Sequence, residues 1–254
     1  MQKSNNHKAM IFAAGMGTRL KPVTDNLPKA LVPIAGKPML EHLINKLKLS
    51  GFTQIVINVH HFADMIIDFI NRNNNFGIDI YISDERSCLL DTGGGIKHAA
   101  DFLQGGEPFL VHNVDIISNV NLDDIYKKHC ADNSFATLLV SKRKTSRCLL
   151  FNAAGKLCGW QNKLTKELKW SNSQFAYSDC TDYAFGGIHV ISPEIFNCFN
   201  NWDGKFSIID FYLSQAQKQD ICAYIPQQLR LIDIGKQESL LQAEKEYSDL
   251  LVND

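Results

Sequence analysis

The sequence predicts an α/β fold with a mostly parallel central sheet that is covered by helices on both faces. Three observations predict this architecture. Apolar runs with the length of buried strands alternate with longer segments whose apolar residues recur at helical spacing. The apolar runs are continuous, which is typical of parallel strands buried on both faces. With 254 residues and 45% hydrophobic content, the chain is long enough to bury a large core.

The first half of the chain follows this alternation closely. Strands are predicted at 9–14, 54–59, 78–82 and 109–112, and helices at 39–49, 63–71, 93–100 and 122–130. The first helix has clear boundaries, because Pro38 is at a first-turn position and Ser50-Gly51 follows its last periodic apolar residue. Since parallel strands end at one edge of a sheet, the loops after these strands are expected to meet where α/β proteins bind ligands.

The second half departs from the alternation in one segment. After a strand at 136–141, residues 142–184 contain short polar strands and turns, which predict a small antiparallel flap rather than a separate core. The remaining strands are predicted at 185–191, 221–225 and 230–234, and the remaining helices at 208–216, 237–250 and from 193 onward. We find no internal repeat and no long linker, so we expect a single domain over 8–254 after a flexible N-terminus of residues 1–7.

Composition excludes several classes of function. The 26 basic and 27 acidic residues give a net charge of −1, which argues against a nucleic-acid or anionic-membrane surface. The seven cysteines include no C-x-x-C pair, and their odd number argues against a secreted disulfide framework. The N-terminus is polar, and no apolar run approaches the length of a membrane span. We therefore expect a cytoplasmic protein.

The loop after the first strand gives the clearest chemical signal. Gly15 and Gly17 interrupt the apolar run abruptly, and a backbone without Cβ atoms can approach a phosphate closely. Arg19 and Lys29 bring fixed positive charge to the same loop. These residues predict a triphosphate cradle. The alternative is an ordinary turn in which the glycines supply positive φ and the basic side chains are solvated.

Two better-known phosphate loops do not match this stretch. A Walker loop needs Lys followed by Ser or Thr directly after its last glycine, and a dinucleotide fingerprint needs a third glycine that opens a helix. Neither pattern is present, and no acidic residue ends the second strand. A dinucleotide-dependent oxidoreductase is therefore excluded.

A wider pattern surrounds the loop. G-x-G-T-R followed by P-K-A-L-V-P-I-A-G-K-P-M resembles the signature of the sugar-1-phosphate nucleotidyltransferases, and further matches lie at 90–96, 113–115, 185–188, 206–210 and 232–235. The resemblance covers nearly the whole chain after His7. It is greatest to short bacterial enzymes that act on N-acetylmuramate, mannose or heptose 1-phosphate. It implies a three-layer, Rossmann-like nucleotide-diphospho-sugar transferase fold and a role in nucleotide-sugar biosynthesis for cell-envelope polysaccharide.

The resemblance also implies roles for individual residues. Arg19 and Lys29 are expected to be catalytic. The nucleotide is expected to contact Ala13, Ala14, Gly15, Gly17, Thr18, Asp91, Gly93 and Gly94. In the family's pattern, the loop with the three glycines at 93–95 lies beneath the base and ribose. A flexible hinge is the alternative interpretation of that glycine run.

Two aspartates are candidates for a metal site. Asp115 and Asp233 each follow a buried strand, and each matches a metal ligand of the family by position. Phosphates crowded beside two carboxylates need a hard cation, and Mg²⁺ usually takes one or two carboxylates together with phosphate oxygens. Taken singly, an aspartate in such a position is more often a turn former or a helix cap. The pair predicts Mg²⁺.

The sugar is expected on the flap side of the cradle. Asn113 and Gly187 are the candidates for sugar binding, because an amide side chain and an exposed backbone suit hydroxyl groups. Lys163 and Asp182 are further candidates, although Lys163 is more typical of a solvated turn.

The expected activity joins a nucleoside triphosphate to a sugar 1-phosphate and releases pyrophosphate. UTP is favoured, because Leu90-Asp91-Thr92-Gly93-Gly94-Gly95-Ile96 resembles the loop of N-acetylmuramate-1-phosphate uridylyltransferases. The alternatives are a mannose- or heptose-1-phosphate guanylyltransferase that uses GTP and a non-catalytic sensor that binds nucleotide sugars. The sequence predicts no nucleic-acid or membrane partner and leaves the oligomeric state open.

Overall fold

The structure, a computed structural model, describes residues 7–172 and 175–251, with side chains as far as Tyr247. The strands are β1 (His7–Phe12), β2 (Pro33–Ile34), β3 (Lys37–Pro38), β4 (Phe52–Val59), β5 (Asp79–Asp84), β6 (Phe109–Asn113), β7 (Ile116–Ser118), β8 (Ala136–Ser141), β9 (Arg147–Asn152), β10 (Leu157–Asn162), β11 (Glu167–Trp170), β12 (Cys180–Ile191), β13 (Ile221–Tyr224) and β14 (Leu231–Asp233). The helices are α1 (Met39–Leu49), α2 (Ala63–Arg72), α3 (Asp91–His98), α4 (Ala100–Leu103), α5 (Leu122–Asp132), α6 (Ile195–Cys198), α7 (Ile208–Gln215) and α8 (Gln237–Leu251).

Within the described residues, ten of the strands form one sheet. Its parallel part has the order β6-β1-β4-β5, so the central strand β1 lies between β6 and β4. The long strand β12 runs antiparallel to β6 and β8, and β13 runs parallel to β8. Strands β9, β10 and β11 extend the sheet as an antiparallel flap.

Alternate residues of the parallel strands face different helical layers. Ala9 and Ile11 of β1 belong to one core with residues of α1, α2 and α5. Met10, between them, belongs to a second core with residues of α3, α6 and α7. This alternation explains why the apolar run at the start of the chain is continuous, since both of its faces are covered. The predicted three-layer α/β fold with a mostly parallel sheet is confirmed.

The flap is joined to the main sheet more closely than the sequence indicates. The predicted strand at 185–191 is the second half of β12, whose first four residues pair with β9. Leu149, Phe151 and Leu157 of the flap pack in the same core as α7. A strand long enough to pair with both β9 and β6 therefore connects the flap and the main sheet directly.

The N-terminal boundary also differs from the expectation. His7, assigned from the sequence to the flexible N-terminus, is the first residue of β1, and its ring lies 4.1 Å from that of Tyr126. The two rings are tilted by 43°, and His7 also pairs with Phe52 of β4. The other six residues of that segment lie outside the described part of the chain.

A third apolar cluster connects the C-terminus to the edge of the sheet. Strands β7 and β14 pair antiparallel, with Asp233 opposite Ile116. Ile232, Ile234 and Ala243 pack with residues of the loop that follows β1. The last strand and helix are thereby held beside the loop that contains the predicted cradle. Over the described residues, no helix is both long enough and apolar enough to cross a membrane.

Candidate active site

A cleft of about 460 Å³ lies at the carboxyl edge of the parallel strands, and we call it the first cleft. It is lined by Phe12, Ala13, Ala14, Gly15, Met16, Gly17, Thr18, Arg19, Leu20, Lys29, Asn58, Glu85, Leu89, Asp91, Thr92, Asn113, Val114, Asp115, Lys205 and Gly235. The loops after β1, β5 and β6 contribute to this set, and Asn58 contributes from β4 itself. The expectation that loops after the parallel strands meet at one edge is confirmed for these three loops.

The loop after β1 presents unpaired donors to the first cleft. Among the described residues, no acceptor is present for the backbone N–H groups of Gly15, Met16 and Thr18. Gly17 adopts a φ of 64°, which a residue with a Cβ rarely adopts, and this conformation starts the short 3-10 turn at Thr18–Leu20. The Arg19 guanidinium likewise forms no ion pair with a described residue. The loop therefore offers both backbone donors and a free cation to an anion.

A buried polar contact holds the start of this loop in place. The Asn58 side chain on β4 accepts hydrogen bonds from the backbone N–H groups of Ala13 (2.7 Å) and Ala14 (3.2 Å). It donates in turn to Glu85 Oε1 at 2.8 Å. The other oxygen of Glu85 accepts from the backbone N–H of Leu90 at 3.1 Å. One amide and one carboxylate thus connect the cradle to the segment that precedes α3.

Lys29 and Asp115 form the most buried ion pair in the first cleft. Lys29 Nζ contacts Asp115 Oδ2, and the two side chains are 10% and 19% exposed. The backbone of Asp115 is also tied to the last strand, because Ile234 N donates to Asp115 O at 2.9 Å. This bond and the β7–β14 pairing bring Asp233 to the same edge as Asp115.

Gly235 fits where two charged side chains meet. A Cβ on this residue would lie 2.9 Å from Arg19 Nη2 and 3.2 Å from Asp233 Oδ1. A larger residue would have to displace one or both of these side chains. The structure therefore brings all four charged residues predicted for catalysis and metal binding, Arg19, Lys29, Asp115 and Asp233, to one part of the site.

The donor set suits a hard divalent cation. Asp115 and Asp233 supply carboxylate oxygens beside a phosphate-binding loop, and Mg²⁺ commonly uses one or two carboxylates with phosphate oxygens and water. Across the described residues, no cluster of three or more His, Cys, Asp or Glu side chains could replace the ligand phosphates in that coordination.

The glycines of α3 have a packing role. A Cβ on Gly93 would lie 2.3 Å from the Phe206 ring, and one on Gly94 would lie 2.3 Å from the Gly204 carbonyl oxygen. The N–H groups of both glycines donate to Phe206 O. Neither lines the first cleft, whereas the neighbouring Asp91 does. Nucleotide contact by Gly93 and Gly94 remains a prediction, and the hinge interpretation is wrong because both lie buried in a helix.

A second cleft of about 500 Å³ lies between the sheet and the flap. It is lined by Phe12, Asp91, Thr92, Asn113, Arg143, Thr145, Arg147, Cys148, Leu149, Trp160, Lys169, Phe185, His189, Ser207, Ile208, Ile209 and Asp210. Four of these, Phe12, Asp91, Thr92 and Asn113, also line the first cleft. The two clefts therefore meet at the end of β6.

The predicted sugar-binding residues lie at different distances from this junction. Asn113 lines both clefts. A Cβ on Gly187 would lie 2.9 Å from Asn113 Nδ2, so this glycine, with a φ of 71°, leaves room for the amide. Lys163 pairs with Asp182 at 2.7 Å on the flap, and this contact lowers the pKa of Asp182. Neither Lys163 nor Asp182 is among the residues that line the clefts.

Two histidines lie buried beside the clefts. Burial lowers the pKa of both His112 and His189 to about 3. His112 Nδ1 donates to Asn113 O at 2.8 Å, and His189 Nδ1 is hydrogen-bonded to the Tyr212 hydroxyl at 2.7 Å. Both imidazoles are neutral at pH 7 and serve as hydrogen-bonding core residues.

Several residues of the site are absent from the sequence prediction. Asn58 and Glu85 are polar residues that are 3% and 1% exposed, and an Asn inside the apolar run of β4 is the one signal that sequence reasoning could have used. Lys205 lines the first cleft from the loop before α7. Arg143 and Arg147 line the second cleft, and nothing in their local sequence distinguishes them from ordinary surface arginines.

Comparison with known proteins agrees with this geometry. Residues 8–148 match the family described as nucleotidyl transferase. The N-acetylmuramate alpha-1-phosphate uridylyltransferase of Caulobacter vibrioides is 31% identical over 242 residues, which cover 93% of this chain and 95% of that protein. The chain belongs to the nucleotidyl transferase family.

Two further known proteins are similar to this chain. The N-acetylmuramate alpha-1-phosphate uridylyltransferase of Neisseria meningitidis serogroup B is 43% identical over 114 residues, 45% of this chain and 49% of that protein. The solved structure of HddC from Yersinia pseudotuberculosis, complexed with GMP-PN, has a TM-score of 0.72 and 26% identity and covers 95% of this chain and 99% of its own. The predicted resemblance and enzyme class, a sugar-1-phosphate nucleotidyltransferase, are confirmed.

Proposed function

We propose that this nucleotidyl transferase transfers a uridylyl group from UTP to an N-acetylated or manno-configured hexose 1-phosphate. The observation that supports it most directly is the composition of the first cleft. Unpaired N–H groups of Gly15, Met16 and Thr18 lie beside Arg19 and the Lys29–Asp115 pair, which is a suitable site for a triphosphate. The second cleft joins it at Asn113, where a sugar 1-phosphate would meet the nucleotide.

The reaction requires the protein mainly to stabilise negative charge and to position the two substrates. An oxygen of the sugar 1-phosphate attacks the α-phosphorus, a new P–O bond forms, the bond to the β-phosphate oxygen breaks, and pyrophosphate leaves. The attacking phosphate is already an anion at neutral pH, so no general base is needed. Arg19 and Lys29 would stabilise the charge on the transferring group and on pyrophosphate. Asn113, which lines both clefts, would orient the sugar phosphate at their junction.

We propose Mg²⁺ as the cofactor, with Asp115 and Asp233 as its protein ligands. Bound there, Mg²⁺ would neutralise phosphate charge and orient the phosphates. Lys29 compensates the charge of Asp115 in the structure as described. A cation shared with the triphosphate would take over that compensation, which would leave the Lys29 ammonium available to a phosphate oxygen.

The choice of uracil rests on the relatives. The Caulobacter and Neisseria proteins are both named as uridylyltransferases, and the first matches almost the whole chain. Guanine is the alternative, and it is favoured by the solved HddC structure with a guanine nucleotide. Few hydrogen bonds to the edge of the base distinguish uracil from guanine, and each contributes about 0.5–1.5 kcal/mol. One or two changed contacts could therefore switch the preference from one base to the other.

Calorimetric titration of each nucleoside triphosphate with Mg²⁺ into the purified protein tests this proposal. UTP is expected to bind at least about tenfold more tightly than GTP, which corresponds to about 1.4 kcal/mol. The variant Arg19→Ala should lose most affinity for every triphosphate, whereas Lys21→Ala, whose side chain is 61% exposed and lies outside the cleft, should not. Tighter binding of GTP would replace the uridylyltransferase with the guanylyl alternative.

A further inference from the structure

Lys205 is a cation of the first cleft that comes from a part of the chain distant from the loop after β1. It lines the cleft from the loop between α6 and α7. Its ammonium forms no hydrogen bond or ion pair with a residue that the structure describes. An exposed lysine without a partner is ordinarily a solvated side chain. Its significance therefore depends on how the backbone places it.

The backbone on both sides of Lys205 is fixed. On one side, Phe206 N donates to Leu90 O at 3.1 Å, and Phe206 O accepts from Gly93 N at 2.9 Å. On the other side, Gly204 has a φ of 66°, a conformation that a residue with a Cβ rarely adopts. The loop is thereby joined to the start of α3. A lysine on such a backbone loses less conformational freedom on binding a ligand than one on a free loop.

The cations of the first cleft approach it from two sides. Arg19 and Lys29 belong to the loop after β1. Lys205 comes instead from a segment that is bonded to the first turn of α3, and Asp91 and Thr92 of that turn line both clefts. Lys205 itself lines only the first cleft. It therefore approaches the junction of the clefts from the α3 side and from within the nucleotide site.

The proposed reaction decides which phosphate lies on that side. The α-phosphate must lie at the junction, because a sugar 1-phosphate in the second cleft attacks it there. The β- and γ-phosphates then extend toward the loop after β1, whose free N–H groups suit them. A cation on the α3 side of the junction meets the α-phosphate. Negative charge on the transferring group is spread over its non-bridging oxygens in the transition state, and a fixed cation beside them stabilises it.

We propose that Lys205 is a further catalytic residue, which binds the α-phosphate of the nucleotide during transfer. This inference rests on the proposed function, since it places the α-phosphate at the junction of the clefts. An ammonium group that contacts a phosphate oxygen forms a charge-assisted hydrogen bond, which is about twice as strong as a neutral one. The alternative is a solvated lysine at the rim of the cleft, which would influence neither binding nor turnover.

Binding of a nucleotide series tests which phosphate Lys205 contacts. UMP, UDP and UTP all contain the α-phosphate, so Lys205→Ala should weaken each of them by about tenfold, which corresponds to about 1.4 kcal/mol. Calorimetric titration of each nucleotide with Mg²⁺ measures the three affinities, and GMP, GDP and GTP make the test independent of the base. A loss confined to the triphosphates would place Lys205 on the β- or γ-phosphate and contradict the proposal, as would unchanged affinity for all nucleotides.

Two further variants control for charge and for surface substitution. Lys205→Arg keeps the positive charge on the same fixed backbone and should retain most of the affinity for all three nucleotides. Lys218→Ala changes an exposed lysine after α7 that lines neither cleft, and it should bind them as the wild type does. A loss in Lys205→Arg as large as that in Lys205→Ala would contradict a contact made through charge.

Turnover distinguishes a catalytic contact from simple binding. Lys205→Ala should lower kcat by about 100-fold and raise KM for the triphosphate by a smaller factor, because the charge that it stabilises develops in the transition state. Lys205→Arg should recover much of kcat, and Lys218→Ala should leave kcat and KM unchanged. A kcat in Lys205→Ala within about twofold of the wild type would overturn the catalytic role.

The outcomes separate this inference from the proposed function. Pyrophosphate release by the wild type that Lys205→Ala does not slow would support nucleotidyl transfer and overturn the role of Lys205. Equal losses of affinity for UMP, UDP and UTP, in a protein that releases pyrophosphate from no triphosphate, would support the contact with the α-phosphate and contradict the proposed function.

Discussion

Lys29 Nζ and Asp115 Oδ2 form an ion pair at the carboxyl end of the central strands, where their side chains are 10% and 19% exposed. Each group has a charge that its surroundings would otherwise disfavour, so the pair stabilises both. The same two residues are the ones expected to meet a phosphate and a divalent cation. A cation bound with the triphosphate is therefore expected to compete with Lys29 for Asp115.

The first prediction concerns the two carboxylates. Asp115→Asn and Asp233→Asn each keep the side-chain shape and remove a negative charge, so turnover should fall by about 100-fold or more and the Mg²⁺ concentration for half-maximal rate should rise. Steady-state rates over a Mg²⁺ series measure both effects. Asp101→Asn, an exposed residue of α4, should behave as the wild type. Near-normal rates in Asp233→Asn would rule out its assignment as a metal ligand.

The second prediction concerns Asn58. Asn58→Leu removes the acceptor of Ala13 N and Ala14 N and the donor to Glu85, so buried polar groups lose their partners. The free energy of unfolding should fall by about 2–4 kcal/mol, and KM for the triphosphate should rise. Urea unfolding and steady-state kinetics measure these quantities. Ser83→Ala is the matched control, because the buried Ser83 Oγ has no partner to lose among the described residues. Equal effects of the two substitutions would contradict a specific role for Asn58.

The third prediction concerns the glycines of α3. Gly94→Ala would place a Cβ 2.3 Å from the backbone carbonyl oxygen of Gly204, which cannot move as a flexible side chain can. The free energy of unfolding should fall by about 1–3 kcal/mol. Gly106→Ala, where a Cβ meets no atom within 4 Å, should change it by less than about 0.5 kcal/mol. A Gly94→Ala protein as stable as the wild type but unable to bind nucleotide would show that packing is not the reason for this glycine.

The fourth prediction concerns the pH dependence of stability. Burial lowers the pKa of His189 to about 3, below its ordinary value of 6.5, so the unfolded chain binds a proton there that the folded chain does not. Its contribution to stability is therefore present above pH 6.5 and is lost as the pH falls from 6.5 toward 3. Between pH 7.5 and 5.5 the loss should be about 1.4 kcal/mol, and His112, with the same lowered pKa, should contribute equally.

Urea unfolding of the wild type and of His189→Gln at both pH values isolates this effect. The variant is expected to be less stable at each pH because it loses its buried contact with Tyr212. The informative quantity is the difference between the two pH values, which should shrink by about 1.4 kcal/mol in the variant. An unchanged difference would mean that His189 is protonated to the same extent in the folded and unfolded chains.

The fold could be predicted from the sequence because the local patterns that indicate helices and strands agree with the strand pairing in the structure. The first helix begins after Pro38 and ends before Ser50, as predicted, because a fixed proline φ and a Ser-Gly pair act on the backbone locally. Asp115 and Asp233 could be expected to lie near each other because each follows a strand, and strand ends share an edge. Their roles as metal ligands remain a prediction.

The features of the site that could not be predicted depend on contacts between segments that are distant in sequence. The partner of Gly94 is Gly204, and no local pattern connects the two. The Asn58–Glu85 contact requires the order of β4 and β5 and the rotamers of both side chains. Arg143 becomes notable only when the flap is folded over the sheet and its guanidinium is found without an acid. Sequence patterns specify which residues face inward, but they do not specify which buried polar groups find partners.

The most direct test of the central claim is pyrophosphate release by the purified protein with Mg²⁺, each of the four nucleoside triphosphates and a panel of hexose 1-phosphates. Phosphorus NMR of the products identifies the nucleotide sugar. The proposed function predicts rapid release with UTP together with a hexose 1-phosphate, a UDP-sugar as product, and no release when either substrate or Mg²⁺ is omitted. Binding of triphosphate without release under any pairing would contradict catalysis and favour a sensor, and a GDP-sugar as the main product would contradict the uridylyl assignment.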